Sequence, residues 1–352
     1  MTASTRVRAA VLSAGAWSQS SHLPTLAGDA RVELVALSSP NAAMAEKLAT
    51  EFSVPRAFAD WRDALKEKPD IVVVSSPPVA HEEQVVAALR AGAHVLVEKP
   101  FALDGVAAYR MRDAAREVGR TLLVGFGWPA APIFALARAL IEAGEVGPVE
   151  HVTMHLAVNT RALLFGGSDG GWGGALESGA ATYTDARVSG GGSAAVSMSH
   201  QLGLIEWLTG EPIIAVSAST WPPGRAIDVH TSVNADFANG GSAAISSAST
   251  HPYLARPQWH MALYGGRGQI WLDSVSDQLR LVRANGEVVT FGDPEASGLY
   301  DAGAPTKALI ACAFGAPPPA GLSADLAAHV VAVTDAIYAS ARDGRKHGIE
   351  AS

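Results

Sequence analysis

The stretch that decides the fold is VRAAVLSAGAWS, residues 7–18. Its first six residues are mostly apolar and predict a buried strand, and Ser13-Ala14-Gly15-Ala16-Trp17-Ser18 then leads into a helical pattern. A dinucleotide-binding turn carries G-x-G-x-x-G at this point. Only the middle glycine, Gly15, is present. Its missing side chain would let the backbone approach a pyrophosphate. The turn alone leaves an ordinary strand-to-helix connection equally open.

Strands and helices alternate after this turn. Further buried strands are predicted at 32–37, 71–75, 94–97 and 121–124, and helices at 20–27, 41–52, 81–91 and 104–118. This alternation predicts an α/β fold with a doubly wound parallel sheet, a Rossmann domain that occupies residues 1–125.

From residue 126 onward the pattern changes. A helix over 133–143 is followed by longer alternating segments joined by turns such as Asn285-Gly286, and a helix over 324–341 closes the chain. We expect an α+β domain over 126–352 with a large, mostly antiparallel open sheet. Glycine fills ten of the thirty residues 163–192. This segment is either a mobile loop over a site or a surface insertion.

Composition excludes several classes of protein. The 352 residues carry a formal charge of -8 and no basic run, so nucleic acid is not an expected partner. The uncharged, apolar stretch 121–137 is interrupted by glycine and proline and predicts no membrane span. A single cysteine, Cys312, allows no internal disulfide and fits the cytosol. His251, His260 and Glu206 have no recognised metal-ligand spacing, so no metal is predicted.

The end of the second strand bears on the choice of cofactor. The residues there are Ser38-Ser39-Pro40-Asn41, without the acid that binds the ribose hydroxyl of NAD. Two hydroxyls could instead bind a 2'-phosphate. NADP is therefore weakly favoured over NAD, although no arginine stands beside them.

Three further motifs carry a resemblance to a known family. Ser76-Pro77 precedes His81, and Glu98-Lys99-Pro100 directly follows the predicted strand at 94–97. Gly190-Gly191-Gly192 is followed eight residues later by His200. With the degenerate glycine turn, the chain resembles the glucose-fructose oxidoreductase, inositol dehydrogenase and rhizopine catabolism (Gfo/Idh/MocA) family over nearly its whole length.

The resemblance implies roles for these residues. Lys99 would be the general acid or base beside the nicotinamide, and His200 would face the substrate hydroxyl. A lysine at the carboxyl end of a parallel strand also points independently to the ligand crevice, where burial can lower its pKa. The cofactor-binding residues would be Ser13, Gly15, Ala16, Trp17, Ser38, Ser39, Ser76, Pro77, His81, Glu98 and Lys99. For His81 a structural role at the start of a helix is equally open.

The chain also departs from the family pattern. The family's usual aspartates four residues before and three residues after the histidine are replaced by Val196 and Gly203, and Gly127-Trp128-Pro129 stands where Asn-Arg-Arg is common. Substrate recognition must therefore differ from the common pattern. The candidate substrate residues are Trp128, Trp172, Tyr183, Asp185 and Arg187.

The leading interpretation is an NAD(P)-dependent dehydrogenase or reductase that acts on a hydroxyl or ketone of a sugar, cyclitol or related small polar molecule. One alternative is an enzyme that keeps its nucleotide bound and uses transient oxidation to cleave a glycoside or eliminate a group. Another is a non-catalytic nucleotide-binding member. The family's architecture further implies a homodimer or homotetramer, joined through a sheet face rich in Val, Ile and Ala.

Overall fold

The computed structural model describes residues 6–166, 180–252, 257–292 and 300–350. A six-stranded parallel sheet has the order β3-β2-β1-β4-β5-β6. This is the doubly wound sheet expected from the sequence. All five predicted strands are present, and β3 is an added edge strand. The strands are β1 (Val7–Leu12), β2 (Val32–Ser38), β3 (Ala57–Phe58), β4 (Ile71–Val74), β5 (His94–Val97) and β6 (Leu122–Val124).

A second, nine-stranded sheet has the order β14-β13-β12-β11-β7-β10-β9-β8-β15. All its pairs are antiparallel except β7 with β10, which confirms the predicted mostly antiparallel sheet. Its strands are β7 (Val149–Ala157), β8 (Ile213–Trp221), β9 (His230–Phe237), β10 (Ser242–Ala248), β11 (Gln258–Gly265), β12 (Gly268–Asp273), β13 (Gln278–Arg283), β14 (Val288–Phe291) and β15 (His347–Gly348).

Helices connect and cover the strands. A π-helical turn, Ser18–His22, precedes α1, and short 3-10 turns lie at Pro78–Ala80, Trp128–Ala130 and Ala320–Leu322. The α-helices are α1 (Leu23–Gly28), α2 (Ala42–Glu51), α3 (Trp61–Leu65), α4 (His81–Arg90), α5 (Gly105–Val118), α6 (Pro132–Glu142), α7 (Arg161–Phe165), α8 (Ala180–Tyr183), α9 (Ala186–Ser189), α10 (Ser193–Val196), α11 (Met198–Thr209), α12 (Ala304–Ala313) and α13 (Ala324–Asp343).

The chain forms two compact units. The first contains residues 1–127 and 302–328, and the second contains 128–301 and 329–352. This differs from the predicted division, which assigned everything after residue 125 to the second domain. The physical reason lies in α12 and the turn after it, because Leu309, Ile310 and Leu322 are buried in the same apolar core as β1 and β5. Removing this segment would expose that core.

Local sequence sets the ends of several helices in the first unit. The side chains of Asn41, Asp60 and Asp104 cap α2, α3 and α5 by accepting backbone N–H groups. Gly119 ends α5 in a left-handed conformation, at φ 62°. These signals surround the strand ends, where the sequence motifs lie.

On β9 and β10, one face of the nine-stranded sheet is mostly polar. In β9 and β10 the apolar residues Val233, Ala235 and Ile245 are buried, whereas Ser232 and Asn234 are exposed. The expectation of an exposed face rich in Val, Ile and Ala was therefore wrong for these strands, because their apolar side chains, apart from the exposed Ala244, point mostly to the buried face. Within the described ranges, no helix is long and apolar enough to cross a membrane.

Candidate active site

The glycine turn after β1 leaves open space above its backbone. A Cβ at Gly15 would meet no other atom of the chain within 4 Å. Ser13, at the position of the first motif glycine, has the left-handed φ of 55° that usually favours glycine. Its hydroxyl accepts a hydrogen bond from Gln84 Nε2 at 3.0 Å. The turn therefore has the backbone shape of a dinucleotide motif and leaves room for a ligand at Gly15.

Ser38, at the end of β2, makes a structural hydrogen bond that the sequence did not predict, and cofactor binding by Ser38 and Ser39 stays a prediction. Ser38 Oγ accepts the backbone N–H of Ser13 at 3.1 Å, and Ser38 and Ser39 are both buried. Ser38 thus stabilises the glycine turn through this hydrogen bond. The structure gives no support to the idea that these hydroxyls select NADP.

The end of β4 brings Ser76 and His81 together. His81 is fully buried at the start of α4, with Nε2 2.8 Å from the carbonyl oxygen of Ser76 and Nδ1 3.1 Å from that of Phe101. Burial lowers the pKa of His81 below its ordinary value, against the effect of these carbonyls and of Glu98. His81 thus fastens the loops after β4 and β5, while Pro77 beside it stays half-buried.

Glu98 and Lys99 directly follow β5, at the carboxyl edge of the parallel sheet. Glu98 Oε1 accepts hydrogen bonds from Trp17 Nε1 at 3.0 Å and from His22 Nε2 at 3.1 Å. Burial would raise the pKa of Glu98, but the hydrogen bond and charge of His22 and the charge of Lys99 outweigh it, so this pKa is lowered. Burial lowers the pKa of Lys99, which Glu98 opposes. The half-buried Lys99 therefore lies beside the ionised Glu98, whose carboxylate is fixed by hydrogen bonds from Trp17 and His22.

Sequence reasoning missed His22 as part of this arrangement, and also Thr306, whose hydroxyl lies 2.8 Å from His22 Nδ1. His22 follows the glycine turn closely, and its position there was the available signal. Thr306 carried no local signal because it lies 284 residues further along the chain.

In the second unit, His200 lies on α11 beside an aromatic group. Its ring is 6.2 Å from that of Tyr300, edge to face. Tyr300 in turn lies 4.8 Å from Trp128, which stacks on the buried Trp259 at 4.5 Å between ring centroids. The predicted residues His200 and Trp128 are thereby joined through Tyr300, which sequence reasoning did not single out. We call Trp128, Tyr300 and Trp259 the aromatic shelf.

The glycine run ahead of His200 is held by a buried carboxylate. Asp228 Oδ1 accepts the hydroxyl of Tyr338 at 2.8 Å, and that hydroxyl accepts the N–H of Gly192 at 2.9 Å. A Cβ at Gly191 would lie 2.1 Å from the Tyr338 hydroxyl, and one at Gly192 would lie 2.1 Å from the Asp228 carbonyl oxygen. Both positions therefore require glycine.

The structure also explains the valine at the position of the usual aspartate. Val196 is buried in a small apolar cluster with Leu164 and Val229, and Tyr183 packs against the same cluster. A carboxylate at residue 196 would lose its hydration there without gaining a partner.

The remaining predicted substrate residues show local interactions. Asp185 caps α9 and pairs with Arg187 at 2.7 Å, and the hydrogen bonds from Arg187 lower the pKa of Asp185 to about 2. The side chain of Arg187 is 89% exposed. Trp172 lies outside the described residues. A substrate role for Tyr183, Asp185, Arg187 or Trp172 stays a prediction.

The residues of the first unit fit a dinucleotide. The open space at Gly15, the parallel strand ends and the half-buried Lys99 lie on the edge where such sheets bind nucleotides. Across the described ranges, no three His, Cys, Asp or Glu side chains are grouped to hold a metal ion.

Two family models match the chain over most of its length. Residues 7–126 match the oxidoreductase family with an NAD-binding Rossmann fold, and residues 134–271 match the C-terminal domain of the same family. This chain belongs to the Gfo/Idh/MocA oxidoreductase family. The family assignment places the glycine turn, Ser76 and Glu98 in its NAD-binding domain.

Similar proteins include sugar dehydrogenases. Levoglucosan dehydrogenase of Pseudarthrobacter phenanthrenivorans is 30% identical over 54% of this chain and 46% of its own length. D-glucoside 3-dehydrogenase of Escherichia coli is 29% identical over 60% and 56%, respectively. The chain thus spans about half the length of these curated relatives. A structure of levoglucosan dehydrogenase with NADH and levoglucosan has a TM-score of 0.81 at 18% identity, covering 98% of this chain and 99% of the other.

Proposed function

We propose that this protein transfers hydride between NAD and a hydroxyl or ketone carbon of a sugar or cyclitol, with Lys99 as the general acid or base. The observation that carries the proposal is the half-buried Lys99 beside the ionised Glu98, at the carboxyl edge of a parallel sheet. The similar proteins named above support a carbohydrate substrate, since one acts on levoglucosan and another on D-glucosides by name.

NAD, when bound, supplies the hydride acceptor or donor. In the oxidation direction Lys99 takes the proton of the substrate hydroxyl as the carbon loses hydride, and in the reverse direction it returns that proton to the carbonyl oxygen. A general base must be neutral before it accepts a proton, and burial favours the neutral amine of Lys99. The family motif that His200 matches supports a role for this histidine in orienting the substrate.

The aromatic shelf is proposed to hold the substrate ring. Trp128 and Tyr300 are half-buried, and Trp259 supports Trp128 from behind. The C–H groups on one face of a pyranose or cyclitol ring can pack on such an indole. This contact would replace part of the polar substrate binding that the family's common Asn-Arg-Arg segment would provide, which this chain lacks.

NAD is the proposed cofactor, in place of the weak preference for NADP. The matched family model describes an NAD-binding fold, and Ser38 uses its hydroxyl within the protein. We further propose that the protein works in the cytosol as a homodimer or homotetramer, joined through the polar face of the nine-stranded sheet. Light scattering of the purified protein tests the oligomeric state, and a monomer at all concentrations would contradict the proposed dimer or tetramer.

Replacing Lys99 with methionine tests the catalytic role. The variant Lys99→Met should lose about 10²- to 10⁴-fold in kcat/KM for the polyol or sugar that a panel screen identifies, because it cannot exchange the proton. NADH binding, followed by fluorescence, should persist. The matched control is Lys47→Met, since Lys47 is exposed on α2. Unchanged turnover by Lys99→Met would overturn the assignment.

The two alternative functions give different outcomes in the same experiments. An enzyme that retains its nucleotide would release NAD on denaturation and act without added cofactor. A non-catalytic member would bind NADH and oxidise or reduce no compound in the panel.

A further inference from the structure

Glu98 lies in a cradle built from three separate parts of the chain. We use the term Glu98 cradle for Trp17, His22, Gly125 and Thr306. Trp17 and His22 both donate to Oε1 of Glu98, and Oε2 accepts the backbone N–H of Lys99 at 3.2 Å. The Glu98 side chain is 12% exposed and that of His22 is fully buried. Both carboxylate oxygens are thereby fixed.

Thr306 determines how His22 is oriented. Its hydroxyl lies 2.8 Å from His22 Nδ1, and Thr306 is itself fully buried on α12. In a neutral imidazole one nitrogen donates and the other accepts. The ionised Glu98 can only accept, so Nε2 of the neutral ring donates to it and Nδ1 accepts the Thr306 hydroxyl proton, which holds the ring in this orientation.

Gly125 leaves the space that the carboxylate fills. A Cβ at this position would lie 2.5 Å from Oε1 of Glu98 and 2.8 Å from its carboxyl carbon. Any larger residue would push Glu98 away from Trp17 and His22. The close approach of the β6 terminus is therefore a further part of the cradle.

We propose that His22 is a positioning residue, which holds Glu98 ionised and fixed beside Lys99 and so sets the charge state of the Lys99 amine. The titratable groups that face Glu98 are His22 and Lys99, with the imidazole of His81 also within its electrostatic influence. A fixed negative charge stabilises the ammonium form of Lys99, whereas burial favours the neutral amine. Without the carboxylate, burial would act on Lys99 unopposed.

The catalytic consequence rests on the proposed function, because only then does the charge state of Lys99 limit a reaction. The coupling between His22, Glu98 and Lys99 exists in the protein without substrate. It can therefore be measured separately.

The test is the rate at which acetic anhydride labels Lys99, followed by mass spectrometry between pH 6 and 10, with exposed Lys47 as internal reference. Glu98→Gln removes the charge and should raise the Lys99 rate at neutral pH about tenfold, since more of the amine is neutral. His22→Phe should change the rate in the same direction by a smaller factor. His22→Gln, whose amide can still donate to Glu98, should label like the wild type.

Thr306→Val is the second variant, because valine has nearly the shape of threonine and leaves the core filled. It should shift Lys99 labelling in the same direction as His22→Phe. Lys99 labelling unchanged in both variants, or His22→Gln behaving like His22→Phe, would overturn the inference.

Two outcomes separate this inference from the proposed function. If the wild type binds NADH but Lys99 labelling is unaltered in His22→Phe and Thr306→Val, only the positioning role of His22 is overturned. If labelling of Lys99 is altered in these variants but the wild type binds no NADH, only the proposed oxidoreductase function is overturned. Where turnover is found, the pH profile of kcat/KM in His22→Phe should move in the same direction as the labelling midpoint.

Discussion

Two carboxylates, Glu98 in the first unit and Asp228 in the second, are held in similar ways and behave differently. Each accepts at least one hydrogen bond from a residue far away in the sequence. Glu98 is reached by Trp17 and His22, and Asp228 by Thr231 and Tyr338. The pKa of Glu98 is lowered, whereas that of Asp228 is raised.

The neighbours of each carboxylate explain the difference. Glu98 faces His22 and the amine of Lys99, and its side chain is 12% exposed. Asp228 is fully buried, and burial raises its pKa more than its hydrogen bonds from Thr231, Tyr338 and the backbone lower it. Hydrogen bonds alone therefore do not make a reactive site. Glu98, at the strand end, is partly exposed and has Lys99 as a cationic partner. Asp228 is fully buried and has a structural role, and we call Asp228 with Tyr338 and Gly192 the Asp228 clamp.

The largest expected effect is a loss of stability when the Asp228 clamp is disrupted. Gly192→Ala should lower the free energy of unfolding by about 3 kcal/mol, because the new Cβ would meet backbone atoms of Asp228 that cannot move aside. Urea unfolding measures it. The control is Gly28→Ala, where a Cβ would meet nothing within 4 Å. Equal stability of the two variants would contradict the clamp.

A smaller loss is expected from Tyr338→Phe. The variant removes the hydroxyl that donates to Asp228 and accepts from Gly192, at a cost of about 1–3 kcal/mol for buried groups left without partners. NADH affinity should not change, because this clamp belongs to the second unit. Tyr264→Phe serves as control, since Tyr264 is 38% exposed. If Tyr338→Phe weakened NADH binding and left stability intact, the division of roles would fail.

The smallest effects are pH dependences of opposite sign. The lowered pKa of Glu98 stabilises the fold above the ordinary value of 4.5, and this contribution is lost as pH falls through the folded-state pKa. The raised pKa of Asp228 gives stability that is full below 3.8 and lost as pH rises through the folded-state pKa.

Urea unfolding at several pH values measures both contributions. The stability difference between wild type and Glu98→Gln should grow with pH up to the ordinary glutamate value. The difference between wild type and Asp228→Asn should shrink as pH rises. Slopes of the same sign would show that the two carboxylates do not differ as described.

The sequence carried the local features of the fold but not its distant contacts. The strand at Val7–Leu12, the glycine turn and Glu98-Lys99 were recognisable because hydrophobic period and motif are local. The return of α12 to the first unit was missed, since no local pattern says on which sheet a late apolar helix packs. Thr306 and Asp228 were missed for the same reason.

Some site predictions needed the structure to give them a physical meaning. Ser38 was assigned to the cofactor from its position, and the structure adds that its hydroxyl accepts the backbone N–H of Ser13. Val196 looked like a lost carboxylate, and its apolar neighbours explain the valine. Trp128 was a candidate substrate residue from the sequence, and its link to His200 through Tyr300 depends on tertiary packing.

The most direct test of the account is an NADH fluorescence titration of the wild type and of Gly15→Val. No atom of the chain lies within 4 Å of a Cβ at Gly15, so valine should leave the free energy of unfolding nearly unchanged. If the open space receives the pyrophosphate, the valine should weaken NADH binding at least about tenfold, or 1.4 kcal/mol. Equal NADH affinity in both proteins, or no NADH binding by a wild type that carries no nucleotide, would contradict the account.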